Sequence, residues 1–305
     1  MSVTALVTNI ARASLHDGPG IRSVVYFQGC GLRCAWCHNP ETLNNHAELM
    51  YAPTKCIHCG ACVQVCPEHH RIDGNDLTLL RDGCRRCGKC VAACPTGALS
   101  HGSREMTVEQ IIEELEKDLT YYRQSGGGIT LSGGECLLQP DVCVPILRHF
   151  RSLDVHTAIE TALFVPWDHI AAVLPFCDLI FADCKLANPE HHRTYTGQDN
   201  RHILTNLQRL VNEAPERVTV RIPLIPTIND SESDITAFAA VLTPFAKRLA
   251  GIEVLRYNNL ASSKYAQCGK TYTDFGEPQT PEQLQTFCTS LQHTLENKTT
   301  VFCSL

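Results

Sequence analysis

The chain has 305 residues, 44% of them hydrophobic and 19% charged, with a formal net charge of −6. Those values suit a globular protein with room for one large core, and they argue against a nucleic-acid or anionic-membrane binder. No run approaches the ~18 apolar residues of a membrane helix; the candidate Ile170 to Ala182 is short and contains Pro175 and Asp178.

In chain order, Met1 to Ile10 lacks a basic lead and a small-residue cleavage site, so it reads as a first strand rather than a secretory leader, and the cytoplasm is the expected compartment. A second strand, Arg22 to Phe27, runs into a loop carrying Cys30, Cys34 and Cys37 in a Cys-x3-Cys-x2-Cys spacing. Three thiolates are one short of the four that close a four-iron cubane, which leaves one iron free for an outside ligand. An open metal position is the usual mark of a catalytic site. Zinc completed by His38 also fits the local spacing. The place after a strand and the two runs that follow downstream favour the open iron-sulfur cluster.

Those runs are near copies. Cys56, Cys59, Cys62 and Cys66 are followed by Pro67, and Cys84, Cys87, Cys90 and Cys94 by Pro95, with cognate cysteines 28 residues apart. Each copy matches the bacterial ferredoxin run, in which the fourth cysteine serves the other cluster. One closed four-iron cluster is then expected on Cys56, Cys59, Cys62 and Cys94, and another on Cys84, Cys87, Cys90 and Cys66. Spacings this tight disfavour disulfides, as does a reducing compartment. The remaining cysteines, at 136, 143, 177, 184, 268, 288 and 303, read as small core residues. His69-His70 and His191-His192 read as solvated loop histidines.

After Glu105 the pattern turns to alternating helix and strand. Thr107 opens a helix with Gln110 in capping-box spacing and an apolar face of Val108, Ile111, Ile112, Leu115 and Leu119, stopped by Gly126 to Gly128. Apolar strands follow at Ile129–Leu131, Val155–Ile159, Leu179–Ala182, Val218–Ile222 and Ile252–Leu255. Between and after them lie helical patterns at Pro140–Phe150, Pro166–Leu174, Asn200–Asn212, Asp234–Leu249 and Pro281–Leu295. Such alternation implies a parallel sheet covered by helices, with its working site at the strands' carboxyl ends. Ser132-Gly133-Gly134-Glu135, Glu160-Thr161, Asp183-Cys184-Lys185 and Tyr257-Asn258 all fall there, and Arg221 lies near the end of its strand.

Taken together, the Cys30 motif with Trp36 before its last cysteine resembles the signature of radical S-adenosylmethionine (SAM) enzymes. The stretch from His16-Asp17-Gly18-Pro19-Gly20 to Cys37-His38-Asn39-Pro40-Glu41 narrows the likeness. With Ser132 to Glu135, Asp183 to Lys185 and Arg221 to Asp230, it is similar to the glycyl-radical enzyme activating enzymes over nearly the whole chain. The resemblance implies a partial parallel (β/α)6 radical-SAM barrel formed by residues 1–50 and 104–305, interrupted by a ferredoxin-like module with two [4Fe-4S] clusters at 51–103. It also implies that SAM is cleaved on the Cys30 cluster to methionine and a 5′-deoxyadenosyl radical, which takes hydrogen from a glycine of a partner enzyme under anaerobic conditions. Trp36, Cys37, His38, Gly133, Gly134, Glu135, Asp183, Cys184, Lys185, Arg221 and Asn258 are the implied cofactor contacts, and a flavodoxin or ferredoxin is the implied electron donor to a monomeric chain. The two closed clusters either relay that electron or dock the partner enzyme, and the sequence does not choose between these. The sequence departs from the family pattern twice, at Cys136 in place of a proline and at Asn258 in place of a histidine. A radical-SAM enzyme for a small molecule and a pure electron-transfer protein are the alternative classes. The Asp17-Gly18-Pro19-Gly20 stretch disfavours the first, and the three-cysteine loop the second.

Overall fold

The computed structural model describes residues 3–74 and 76–304. Its strands are β1 (Thr4–Ser14), β2 (Arg22–Phe27), β3 (Leu49–Tyr51), β4 (His70–Asp73), β5 (Asp76–Leu79), β6 (Leu99–His101), β7 (Arg104–Thr107), β8 (Gly128–Gly133), β9 (His156–Thr161), β10 (Leu179–Asp183), β11 (Val218–Leu224), β12 (Gly251–Arg256) and β13 (Val301–Ser304). Nine of them form one sheet in the order β13-β12-β11-β10-β9-β8-β2-β1-β7. From β2 to β13 every pairing is parallel, whereas β1 runs antiparallel to both β2 and β7. Parallel neighbours need long crossovers, and the intervening helices supply them. In β8, Ile129 and Leu131 are fully buried in the main core, while Thr130 and Ser132 alternate with them on the opposite face, where Thr130 accepts from Arg22 and Ser132 donates to Glu160.

The expected partial six-unit barrel is here an open sheet of seven parallel strands, one more than expected, plus two antiparallel ones at one edge. Four residues each, β7 (Arg104–Thr107) with only Met106 apolar and β13 (Val301–Ser304), are too short to stand out in the sequence. The helix opened by Thr107 has the expected capping box, but it divides into Val108–Glu116 and Leu119–Ser125 before Gly126 closes it in the left-handed conformation. The helix expected to reach Leu249 stops at Leu242, because Pro244 cannot continue it. Two short helices, Pro189–Thr196 and Ser262–Cys268, lay outside the expected set. The first corrects the solvated-histidine reading: His192 is buried within it, its Nδ1 near the Gln198 carbonyl oxygen and Thr196 Oγ1. His70, at the start of β4, is buried as well.

Pairing of β3 with β6 brings together the two ends of the cysteine-rich stretch. Between them, β4 and β5 form a hairpin, and the helices Ala61–Val65 and Lys89–Ala93 each begin after a left-handed glycine, Gly60 and Gly88, both at φ 76°. Leu49, Cys62, Leu77, Cys90 and Leu99 make a small core separate from the main one. Arg81 ties this unit to the rest, donating to the carbonyls of Leu49 and Gln267, and Met50 packs against Cys268.

Candidate functional site

At the carboxyl ends of the parallel strands lies a cavity of about 620 Å³, within the range of small-molecule sites. The loop after β2 puts Cys30, Cys34 and Cys37 on its wall with Trp36 and His38. The same cavity is lined by Gly133 and Gly134 after β8, Asp183 and Lys185 after β10, Arg221 from β11 and Asn258 after β12. Residues from five separate segments of the chain thus meet in one space.

Burial pushes the three thiols up, Cys30 and Cys34 to about 12 and Cys37 to about 11, with Lys185 as the common opposing cation. Thiols in such a setting become thiolates by binding a metal, which deprotonates them. Among the described residues no group of three His, Cys, Asp or Glu side chains is placed to hold a single metal ion. In a cubane each cysteine takes a different iron, so the thiolates stand at separate corners. Three thiolates on one loop match the three irons of a cubane that cysteines would hold, so the donor set suits such a cluster.

The glycines are required by the chain's own packing. A Cβ on Gly133, at φ 124°, would lie 2.1 Å from the Phe27 nitrogen, and one on Gly134 would lie 2.2 Å from the Gly29 oxygen. Gly134 donates its N–H to Phe27 and Glu135 to Gly29, so this turn is stitched to the strand end that launches the cysteine loop. Lys185 Nζ is 2.7 Å from Asp183 Oδ2. Burial works against the lysine charge, but Asp183 and Cys34 outweigh it and raise its pKa. At the exposed rim, His38 Nε2 lies 3.0 Å from the Asn258 carbonyl oxygen. Trp36 is held between Tyr195 and Phe275, with ring centroids 6.2 and 6.1 Å away.

Two of the candidate contacts do not line the cavity. Glu135 is buried, and its carboxylate accepts from the Leu137 N–H at 3.1 Å, the Thr161 hydroxyl at 3.0 Å and the Ala162 N–H at 2.8 Å. It braces the turn after β8 against the end of β9, and burial pushes its pKa up to about 7. Cys184 packs in the main apolar core, as strand alternation dictates for the residue between Asp183 and Lys185. Arg221 lines the cavity but its donors are engaged: Nε bonds Glu253 at 2.7 Å, Nη2 the His16 carbonyl at 2.9 Å, and Nη1 Glu160. Its guanidinium also lies 3.5 Å over the Phe181 ring, a favourable cation–π placement. Ser132 donates to Glu160. Burial pushes Glu160 up to about 7, with Arg221 pulling its pKa down and Asp17 pushing it up.

Glu253 is a cavity residue that the sequence reading passed over. Its signal was a carboxylate interrupting the apolar run Gly251-Ile252-Glu253-Val254, since a buried charge needs a partner. Tyr26 also lines the cavity, unnoticed because it sits inside an apolar strand.

In the cysteine-rich unit, a second, small cavity is lined by Cys56, Cys59, Cys62 and Cys94 together. Burial raises the Cys90 pKa, and the neighbouring thiols of Cys66 and Cys84 add to that rise. Cys94, the fourth cysteine of the second run, therefore lies with the first three of the other, and Cys66 lies near Cys90.

The family model for the radical SAM superfamily matches residues 24–239. The chain is 37% identical to the (2S)-3-sulfopropanediol dehydratase activating enzyme of Klebsiella oxytoca, over 89% of this chain and 87% of that protein. It is 38% identical to the choline trimethylamine-lyase activating enzyme of Oleidesulfovibrio alaskensis, over 90% of each. Its fold is similar to that of a radical SAM methyltransferase from Sphaerobacter thermophilus, at 14% identity and a TM-score of 0.56, over 99% of this chain and 77% of the other.

Proposed function

Because the chain belongs to the radical SAM superfamily and, within it, to the glycyl-radical enzyme activating enzymes, we propose that Cys30, Cys34 and Cys37 hold a four-iron cluster facing a SAM site. Bound there, the cluster and SAM supply reductive cleavage of the sulfonium to methionine and a 5′-deoxyadenosyl radical, which takes hydrogen from a glycine of a partner glycyl-radical enzyme. The observation that carries the reading is the convergence of the three cysteines with Gly133, Gly134, Asp183 and Lys185 on one cavity.

This chain's residues divide the work of holding and shielding. Gly134, packed against Gly29, presents backbone where SAM's methionine part would lie beside the cysteine loop. Asp183 accepts an ammonium or hydroxyl donor, and Lys185 pairs with that carboxylate at 2.7 Å. Trp36 and His38 border the adenosyl side, with Asn258 joined to His38 at the rim. Arg221, fixed between Glu160 and Glu253, positions the far wall where the glycine-bearing segment would enter past His16 and Asp17. Apolar walls at Leu32 and Ile225 exclude water from a radical reaction. Glu135 and Cys184 act from behind this wall, as brace and packing residue.

Residues 51–103 serve as a ferredoxin-like module with two closed clusters, one on Cys56, Cys59, Cys62 and Cys94 and one on Cys84, Cys87, Cys90 and Cys66, between barrel parts 1–50 and 104–305. The gathering of Cys94 with the first run supports that exchange. The module relays electrons from a flavodoxin or ferredoxin. The monomer acts in the anaerobic cytoplasm, and no nucleic acid or membrane takes part.

The test is to reduce anaerobically reconstituted protein with SAM and to measure 5′-deoxyadenosine and iron. Roughly 12 irons per chain, in three cubanes, and steady release of 5′-deoxyadenosine are expected. A fully loaded, fully reduced protein that leaves SAM intact would remove the enzyme reading.

A further inference from the structure

The two cysteine loops of the insert share a backbone and differ in charge. Gly60 and Gly88 both lie at φ 76°, and two residues before them His58 and Arg86 are both left-handed, at φ 55° and 53°. In this register Ile57 corresponds to Arg85, His58 to Arg86 and Ala61 to Lys89. The run from Cys84 to Cys94 therefore carries three cations and no acid, whereas the run from Cys56 to Cys66 contains no Asp, Glu, Lys or Arg. In a chain of net charge −6 the second loop is a local reversal of sign.

Arg85, Arg86 and Lys89 are exposed, and so is Cys87 between them. None of the three cations belongs to an ion pair among the described residues. The nearest acid in the sequence, Asp82, is exposed and outside the loop. Cation groups without partners are most often only a solvated face. Two features set this one apart: it surrounds an exposed cysteine of a cluster-type run, and the same chain builds the same loop without charge. Folding of the loop consequently does not require the cations.

We propose that the Cys84–Cys90 loop is the docking surface for an acidic one-electron carrier protein, steered by Arg85, Arg86 and Lys89. The inference rests on the relay reading of the insert. One electron leaves the reduced carrier, which is oxidised by one electron, and reduces the cluster beside Cys87 by one; no bond forms or breaks. Complementary charge accelerates such an encounter by roughly 10- to 1,000-fold, and the gain fades with ionic strength. The neutral first loop, with exposed Ile57, offers no such steering.

The variant R85I/R86H/K89A gives the second loop the residues of the first and leaves all eight cysteines in place. With reconstituted protein of wild-type iron content, an acidic flavodoxin serves as probe, and both its dissociation constant and its electron-transfer rate are measured. Both are expected to worsen about tenfold or more at ~50 mM salt, with the difference closing near ~0.5 M. Reduction by photoreduced deazaflavin, a small neutral donor, stays unchanged, and R85K/R86K retains the wild-type carrier rate. Unchanged carrier affinity and salt dependence in the triple variant would overturn the proposal. So would a variant that keeps carrier binding and loses affinity for a glycyl-radical enzyme, since the surface would then serve that partner. A wild-type protein that takes up only about four irons would overturn the relay reading itself, and iron content reports that independently of the binding data.

Discussion

Cys34 and Cys37 lie within a cavity at the strand ends of the large sheet, beside Lys185 and Asp183, whereas Cys59 and Cys87 stand exposed on the two loops of the insert. The first setting gathers polar groups from several strands and walls them in; the second offers little beyond thiols, glycines and a core of five buried residues. The difference matches two physical demands. A site that generates a reactive radical needs positioned groups and exclusion of water. A cluster that only passes electrons needs a complete thiolate set and a route to the surface.

The largest expected effect comes from removing one cavity thiol. Cys30→Ala should abolish 5′-deoxyadenosine formation while roughly eight of about 12 irons remain, as read by iron analysis and product chromatography. If all iron is lost together, the two regions are not separate and the comparison breaks. Cys87→Ala should cost about four irons as well, yet preserve SAM cleavage when a small neutral reductant replaces the carrier protein. Loss of cleavage under that reductant would mean that the insert shapes the cavity as well as feeding it.

A third effect concerns stability of the cavity wall. Arg221→Met leaves Glu160 and Glu253 facing each other without their cation, and breaking a buried pair from one side costs about 3–5 kcal/mol. The urea midpoint should fall accordingly, whereas a change this large is not expected at an exposed insert cation such as Arg85.

The smallest effect lies at the sheet edge, where Asp118 accepts from Arg12 Nε at 2.7 Å and Ser23 Oγ at 2.7 Å. The hydrogen bond from Arg12 holds the Asp118 carboxyl below its ordinary range, against its burial and with further help from Ser23. Stability from this lowered pKa is fully present above the unfolded value near 3.8 and is lost as pH falls through the folded one. Asp118→Asn should cost about 1–3 kcal/mol at neutral pH, and the gap to wild type should narrow below pH ~4. Thermal melts across that range would check the sign.

Much of this protein was legible because its chemistry is written locally. Cys30, Cys34 and Cys37 belong to one loop, and the paired runs repeat a spacing that survives any arrangement of the rest. Apolar strands and capped helices likewise come from short stretches, as Thr107 and Gln110 illustrate. The boundaries were less legible where a single residue overrode a pattern, as Pro244 did for the helix ending at Leu242. Short elements with few apolar residues, such as β7 and the helix around His192, gave little periodic signal to read.

The sequence by itself determined the cysteine spacings and the alternation of strand with helix, since both depend on neighbours along the chain. Only the tertiary structure decided that Glu135 braces a turn instead of facing the cavity, that Cys184 packs in the core, and that Arg221 is held by Glu160 and Glu253. Those roles depend on side-chain direction and on partners brought together by parallel strand pairing across 32 to 61 residues. Spacing along the chain carries no record of such partners, because buried charges find one another only once the sheet has formed.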